Sequence, residues 1–392
     1  MKKILFTLLL LLAASPAAYS QTWVDDGGDW TLTGAGSWTT PGTAPGNTIN
    51  GTTVSSITLD GATLTDTVKA NITATYPKAG GVPTFAMNNA SLTIGTDGYA
   101  IHTTTTGNDG LYEFTGTNLI SSTNGDAIYQ QGDASYLHFD GDTTITGQGF
   151  GILGSDQSSS SEYLFEGTNT LITSVTEDGI RINSPNAILN FNATTTRIEA
   201  FAAGKDGLYS AASCDNSTYS FDGDVTIVGG RIGIVTTNGS TGNTFTYTGA
   251  STDITGTTWR GVHTGGSNTT HNFNAATTTI SGGEYGIYNE DTSDNTKFYF
   301  DGDVTITGGS QNGIRNQDNG DNVEYHFEGA RTKIVSTSGR GVLNYSENAI
   351  FEFNADVTEI KAEAGVGDAI YSQSASDNSN YLFDGDVTLT GG

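Results

Sequence analysis

Along most of this chain an aromatic residue recurs with an apolar residue two places before it and a tight turn just behind it. The aromatic series is Phe114, Phe139, Phe165, Phe191, Phe221, Tyr247, Phe273, Phe300, Phe327, Phe353 and Phe383, in steps of 25, 26, 26, 30, 26, 26, 27, 27, 26 and 30 residues. A repeat of this length marks a solenoid, in which each unit buries its apolar face only by stacking on its neighbours. The residues two before the aromatic include Leu137, Tyr163, Leu189, Tyr219, Phe298, Tyr325, Phe351 and Tyr381. Alternation with period two places both residues on one face of a strand.

Two further short strands follow in each repeat. The second carries a β-branched or aliphatic residue: Ile94, Ile120, Ile145, Ile172, Ile198, Ile227, Ile254, Ile280, Ile306, Ile334, Ile360 and Leu389. The third opens on a small residue and then an aliphatic one, as in Ala127-Ile128, Gly179-Ile180, Gly261-Val262 and Ala369-Ile370. The pattern predicts an all-β fold, a right-handed three-faced parallel β-helix of about twelve coils. Like residues would lie over like at about 4.8 Å per coil, giving a rod of roughly 58 Å. Leu-x-x-Leu-x-Leu is absent, which excludes leucine-rich repeats, and the richness in Gly and Thr argues against helical repeats.

A longer period overlies the first. The turn after the aromatic cycles from Asp-Gly-Asp (Asp140–Asp142, Asp222–Asp224, Asp301–Asp303, Asp384–Asp386) to Glu-Gly or Thr-Gly and then to Asn-Ala. Asp-Asn loops at Asp215-Asn216, Asp294-Asn295 and Asp377-Asn378 precede three of the Asp-Gly-Asp coils. Three coils read as one duplicated block, an economical way to lengthen a rod.

The ends differ from the middle. Lys2 and Lys3, the apolar run Ile4–Ala14 and the small residues Ala18 and Ser20 read as an export signal over 1–20. The run is too short to span a bilayer. Residues 21–60, with Trp23, Trp30 and Trp38, are expected to cap the exposed edge of the first coil. Residues 61–392 are assigned to the β-helix repeats. The sequence stops inside an Asp-Gly-Asp coil, so a C-terminally truncated fragment is expected.

Charge and candidate chemistry change this picture little. The chain has 42 Asp and Glu against 15 Lys and Arg, a net −27, or −29 once the two lysines of the signal are removed. A polyanion repels nucleic acid and anionic lipid surfaces, so neither is expected as a partner. The single cysteine, Cys214, can form no internal disulfide, and in an inter-coil loop without a basic neighbour it is not expected to be a reactive thiolate. Each Asp-Gly-Asp turn offers two carboxylates, whereas calcium takes six to eight oxygens. These turns are therefore read as turn chemistry. His102, His138, His263, His271 and His326 show no His-x-x-x-His spacing. His138 and His326 should face outward and His271 inward. Arg181, Arg231, Arg260, Arg315 and Arg340 fall near the third strand in different coils and read as variants of one surface position. No coil stands out with a group of Asp, His and Arg, so no catalytic, cofactor-binding or metal-ligating residue is nominated, and no cofactor is expected.

The export signal, the start Trp23-Val24-Asp25-Asp26-Gly27-Gly28, and the Gly/Thr/Asn/Asp-rich coils with Phe and Ile ladders together resemble the passenger region of a bacterial autotransporter. The resemblance implies a rod threaded through an outer-membrane β-barrel and displayed outside a Gram-negative cell, on the cell surface, in the outer membrane or secreted. Any membrane attachment would come from a segment not present in this chain. Plain β-helix passengers resemble adhesins or aggregation factors. The expected function is therefore non-catalytic adhesion or self-association, with a surface glycan, a host protein or a second copy as partner. The alternatives are a secreted β-helix lyase or glycosidase acting on polysaccharide, and a passive surface spacer.

Overall fold

The computed structural model describes residues 85–94, 98–103, 110–318, 320–364, 367–373 and 376–392, together with the backbone of six strands before residue 85. The expected export signal lies outside the described residues. The described residues contain no helix and form three sheets of 15, 14 and 12 strands. The strands of successive coils pair in parallel register, so the protein is a three-faced parallel β-solenoid. Within the expected cap, strands Trp23–Asp26 and Asp29–Thr33 pair antiparallel. From there Asp29–Thr33 pairs parallel with Ser56–Asp60, and Ser37–Trp38 with Thr63–Thr65, so solenoid register begins inside that segment.

The predicted ladders fill the interior. From Phe114 to Phe383 the aromatics stack in line; Phe165 and Phe191, for example, have ring centroids 4.7 Å apart and planes within 4°. The strand spacing sets that distance, and nearly parallel rings are the arrangement it permits. The second aromatic column runs Tyr219, Phe245, His271, Phe298 and Tyr325, with His271 lying 4.7 Å from Phe245 and 4.9 Å from Phe298. His271 is fully buried as its position predicts, and burial lowers its pKa to about 3, so the imidazole is neutral in the stack.

One ladder assignment is corrected. Ile120 pairs with Leu92, and Ile94 pairs with Ser122. Leu92 and Ile94 are two residues apart, so alternation alone could not choose between them; the register of the neighbouring strands does.

Two polar ladders were not foreseen as ladders. Inside the rod, Asn289 donates to Asn316 at 2.8 Å and Asn316 to Asn344 at 2.9 Å, with the Tyr325 hydroxyl 2.8 Å from Asn316 Oδ1. Buried amides stacked at the coil spacing pair along the column, which leaves Asn289 Oδ1 at its start without a donor. The corner before the first sheet holds Asn186, Asn216, Asn268, Asn295, Asn322, Asn348 and Asn378, each with φ between 52° and 57°. Asparagine tolerates this left-handed conformation better than most residues. The Asp-Asn loops were thus the visible part of a column present in most of the described coils.

The second aspartate of three of the four Asp-Gly-Asp turns has a defined task. Asp142 Oδ1 accepts from the Asn169 backbone N–H at 2.9 Å, Asp224 from Ser251 at 2.9 Å and Asp303 from Arg331 at 2.9 Å. In these turns the carboxylate ties one coil to the next. Cys214, placed by its sequence in a loop, is buried, with its sulfur 3.1 Å from Ser217 Oγ. Burial raises its pKa and keeps it a thiol.

Candidate functional site

The third sheet is built from short strands, most of three residues, whose middle side chain points outward. Register places Leu153, Arg181, Tyr209, Val235, His263, Tyr288, Arg315, Leu343 and Tyr371 in one outward column. Arg181 and Arg315 are therefore positional variants of one another, as expected. Arg260 is not: it pairs with Ile232 and Tyr285 in a separate column at the start of the strand. Arg231 and Arg340 lie outside the strands, at the turns before them. The five arginines thus occupy more than one kind of surface position, a correction that their offsets from the corner glycines already carry: Arg181 and Arg315 follow Gly179 and Gly313, whereas Arg231, Arg260 and Arg340 precede Gly233, Gly261 and Gly341.

Stacking makes an arginine–aromatic strip of this face. The Arg181 guanidinium lies 4.3 Å from the Tyr209 ring centroid, and that of Arg340 lies 4.2 Å from Tyr371. Arg260 sits between Trp259 and Tyr288, 3.6 Å from each centroid, and is only 5% exposed. A guanidinium held between two rings is a favourable cation–π arrangement. Burial still lowers its pKa to about 10, which leaves it charged at neutral pH. His263 stands beside it, with Nδ1 2.9 Å from Arg260 Nη1 and Nε2 3.3 Å from Glu290 Oε2. Burial lowers the His263 pKa, and the hydrogen bond to His263 lowers that of Glu290. An Arg, His and Glu from two successive coils therefore meet here, which the sequence did not reveal. The usable signal was Trp259, the single tryptophan after residue 38, standing next to Arg260.

Beside the strip runs an open groove of ≈ 680 Å³, whose lining includes Asp156, Arg181, Asn183, Tyr209, His263 and Glu290. These residues come from or just follow strands 152–154, 180–182, 208–210, 260–264 and 285–289, with Thr237 after strand 232–236 between them. The groove thus crosses six successive coils along the rod axis, roughly 24 Å at the stacking rise. Its wall combines the Tyr209 ring with amide, hydroxyl, carboxylate and guanidinium groups. Such a surface suits an extended, hydroxyl-rich ligand better than a compact apolar one.

The carboxyls with raised pKa values are engaged in holding the backbone. Asp126 and Asp178 are each raised to about 6, with burial the largest cause. Asp126 Oδ1 accepts from Phe150 N–H at 2.8 Å, and Asp178 Oδ1 from Asp206 N–H at 2.9 Å. Asp206 does the same for Ile232 at 3.2 Å and also takes the Arg231 guanidinium at 2.9 and 2.5 Å. In a later coil Asn312 makes the equivalent bond to Arg340 N–H at 2.9 Å, so an amide fits this position.

A test of that reading follows from linkage. The folded-state pKa of Asp178 lies above its ordinary 3.8, so the native state holds the proton more tightly than the unfolded chain. The associated penalty is absent below pH ~3.8, grows as pH rises toward 6, and is complete above it. Asp178→Asn is expected to stabilise the protein at pH 7 by on the order of 1–3 kcal/mol. The gain should vanish by pH 3.5 in chemical denaturation. A destabilised variant at pH 7 would show instead that the Asp178–Arg181 contact at 3.5 Å outweighs the burial cost.

No protein-family model matches this chain, and no curated protein or solved structure matches it. The class is therefore defined by the fold alone: a parallel β-solenoid with an arginine- and tyrosine-lined groove on its third sheet. None of the described residues forms a helix long and apolar enough to cross a membrane.

Proposed function

We propose that this chain is an exported, surface-displayed rod that recognises a linear glycan through the groove of its third sheet without cleaving it. The groove carries the reading: it follows the rod axis across six coils and offers the Tyr209 ring, backed by Arg181, with hydrogen-bonding groups spaced along it. Sugar rings present an apolar face and a rim of hydroxyls, and a mixed aromatic and polar wall complements both. Export is supported by the basic, apolar and small-residue order of residues 2–20, and display outside a Gram-negative cell by the resemblance to autotransporter passengers. Adhesion to a glycan-coated surface would be the cellular outcome.

The experiment is an array of linear acidic and neutral glycans, followed by calorimetry on the best binder. Tyr209→Ala is expected to weaken binding about tenfold or more, the size of a lost stacking contact of roughly 1.4 kcal/mol or greater. Tyr371→Ala, in the same outward column but away from the groove, should leave it unchanged. Release of new reducing ends from a bound polysaccharide would replace this reading with an enzymatic one. An empty array, with cell clumping that survives Tyr209→Ala, would replace it with self-association.

A further inference from the structure

We propose a second site on the outer face of the first sheet: a divalent transition-metal site of the zinc type, formed by His326 Nδ1, Glu328 and Glu352. The three side chains each offer a ligand atom, and these atoms lie within 4.8 Å of one another. Sheet geometry brings them together. His326 and Glu328 are two residues apart and share the outward face, and Glu352 stands directly opposite His326 on the next coil.

The surroundings of the imidazole give the site its direction. His326 stacks on Tyr299 of the preceding coil at 4.9 Å and 12°, which fixes the ring plane. Its Nε2 lies 3.3 Å from Glu324 Oε2, and Glu324 is in turn held by Lys297 Nζ at 3.0 and 3.1 Å. Its Nδ1 lies 2.8 Å from Glu352 Oε2. Both ring nitrogens therefore face carboxylates. With Nε2 directed at Glu324, a cation placed between Nδ1 and the Glu352 carboxylate would take one ligand atom from each. A histidine that binds a metal through one nitrogen and donates to a carboxylate through the other is a recurring arrangement.

The distances suit the ion. Zinc bonds of about 2.0–2.2 Å place neighbouring ligand atoms roughly 3.3 Å apart in a tetrahedral site. The Nδ1–Glu352 pair needs to open slightly and the exposed Glu328 to swing inward, with Asn354 Nδ2, 2.8 Å from Glu328 Oε1, to orient it. One nitrogen and two carboxylates leave a fourth position for water. The competing state is an imidazolium donating to both carboxylates, which needs no metal. His138 occupies the same outward column many coils earlier and pairs with Glu166 at 2.8 Å, but it belongs to no such three-ligand group among the described residues. It is the internal control.

Zn²⁺ is titrated calorimetrically into the full chain in excess Ca²⁺, which occupies non-specific acidic positions. The ¹⁵N shift of His326 Nδ1 is followed in parallel. The expected result is one saturable equivalent, with the Nδ1 resonance moving to a coordinated value. Binding should be lost in His326→Ala, weakened about tenfold or more in the isosteric Glu352→Gln, weakened about tenfold in Glu324→Gln, and unchanged in His138→Ala. An unmoved Nδ1 shift, or a Zn²⁺ isotherm the same in His326→Ala as in the parent, would establish the imidazolium pair instead.

Discussion

Phe273→Ala is expected to destabilise the rod by about 3–5 kcal/mol, the cost of emptying a fully packed aromatic site. Phe273 has no exposed surface and lies 4.8 Å from Tyr247 on one side and 4.8 Å from Phe300 on the other, with planes within 3° and 4°. Both neighbours belong to ladders fixed by backbone pairing at the strand spacing, so they cannot close over the cavity. Solenoid stability is close to a sum over neighbouring coils, so the damage should be local. Hydrogen exchange should show lost protection in the coils carrying Tyr247, Phe273 and Phe300. The coils of Phe139 and Phe165 should stay protected. Equal loss along the whole rod would mean that the coils unfold as one unit.

Gly261→Val is expected to cost about 3 kcal/mol or more, at the upper end of overpacking effects, because the obstacle is largely backbone. A Cβ at Gly261 would lie 2.6 Å from Ile280 Cγ2 and 2.7 Å from the Gly286 carbonyl oxygen. Ile280 belongs to the second ladder and Gly286 to the next corner, and neither can retreat without disturbing its own stack. The same collision recurs at Gly179, Gly207, Gly233, Gly286 and Gly313, which explains why the third strand so regularly opens on glycine. Gly204→Ala is the control: nothing lies within 4 Å of its added Cβ, and its thermal melt should stay within the few tenths of a kcal/mol usual for surface changes. If Gly261→Val melted with the parent, the corner would have more freedom than its contacts allow.

Much of the interior was legible because parallel coils place residues one repeat apart directly over each other. Phe139, Phe165 and Phe191 share a spacing in the sequence and a column in the structure. The inward place of His271 followed from its standing two before Phe273. The choice between Leu92 and Ile94 did not follow, since both satisfy the alternation and only the pairing of neighbouring strands separates them. The asparagine corner was half seen, because its backbone conformation leaves no mark on the hydrophobic pattern.

The candidate sites were much less legible. A His-x-x-x-His spacing brings ligands together on a helix, whereas on a sheet the facing side chains are two residues away and one coil away. His326, Glu328 and Glu352 meet by that route. Arg260 likewise gains Tyr288 from the following coil, and the groove beside it exists only across several coils.

The sequence by itself determined the repeat, its three strands, the aromatic and aliphatic ladders and the acidic charge. These depend on identical positions recurring, and in-register stacking converts such recurrence directly into a core. The tertiary structure alone decided which unlike outward residues become neighbours, since those contacts depend on loop insertions and on register between coils. Chemistry on this surface arises from pairs that differ between coils, so it became visible only once the coils were stacked.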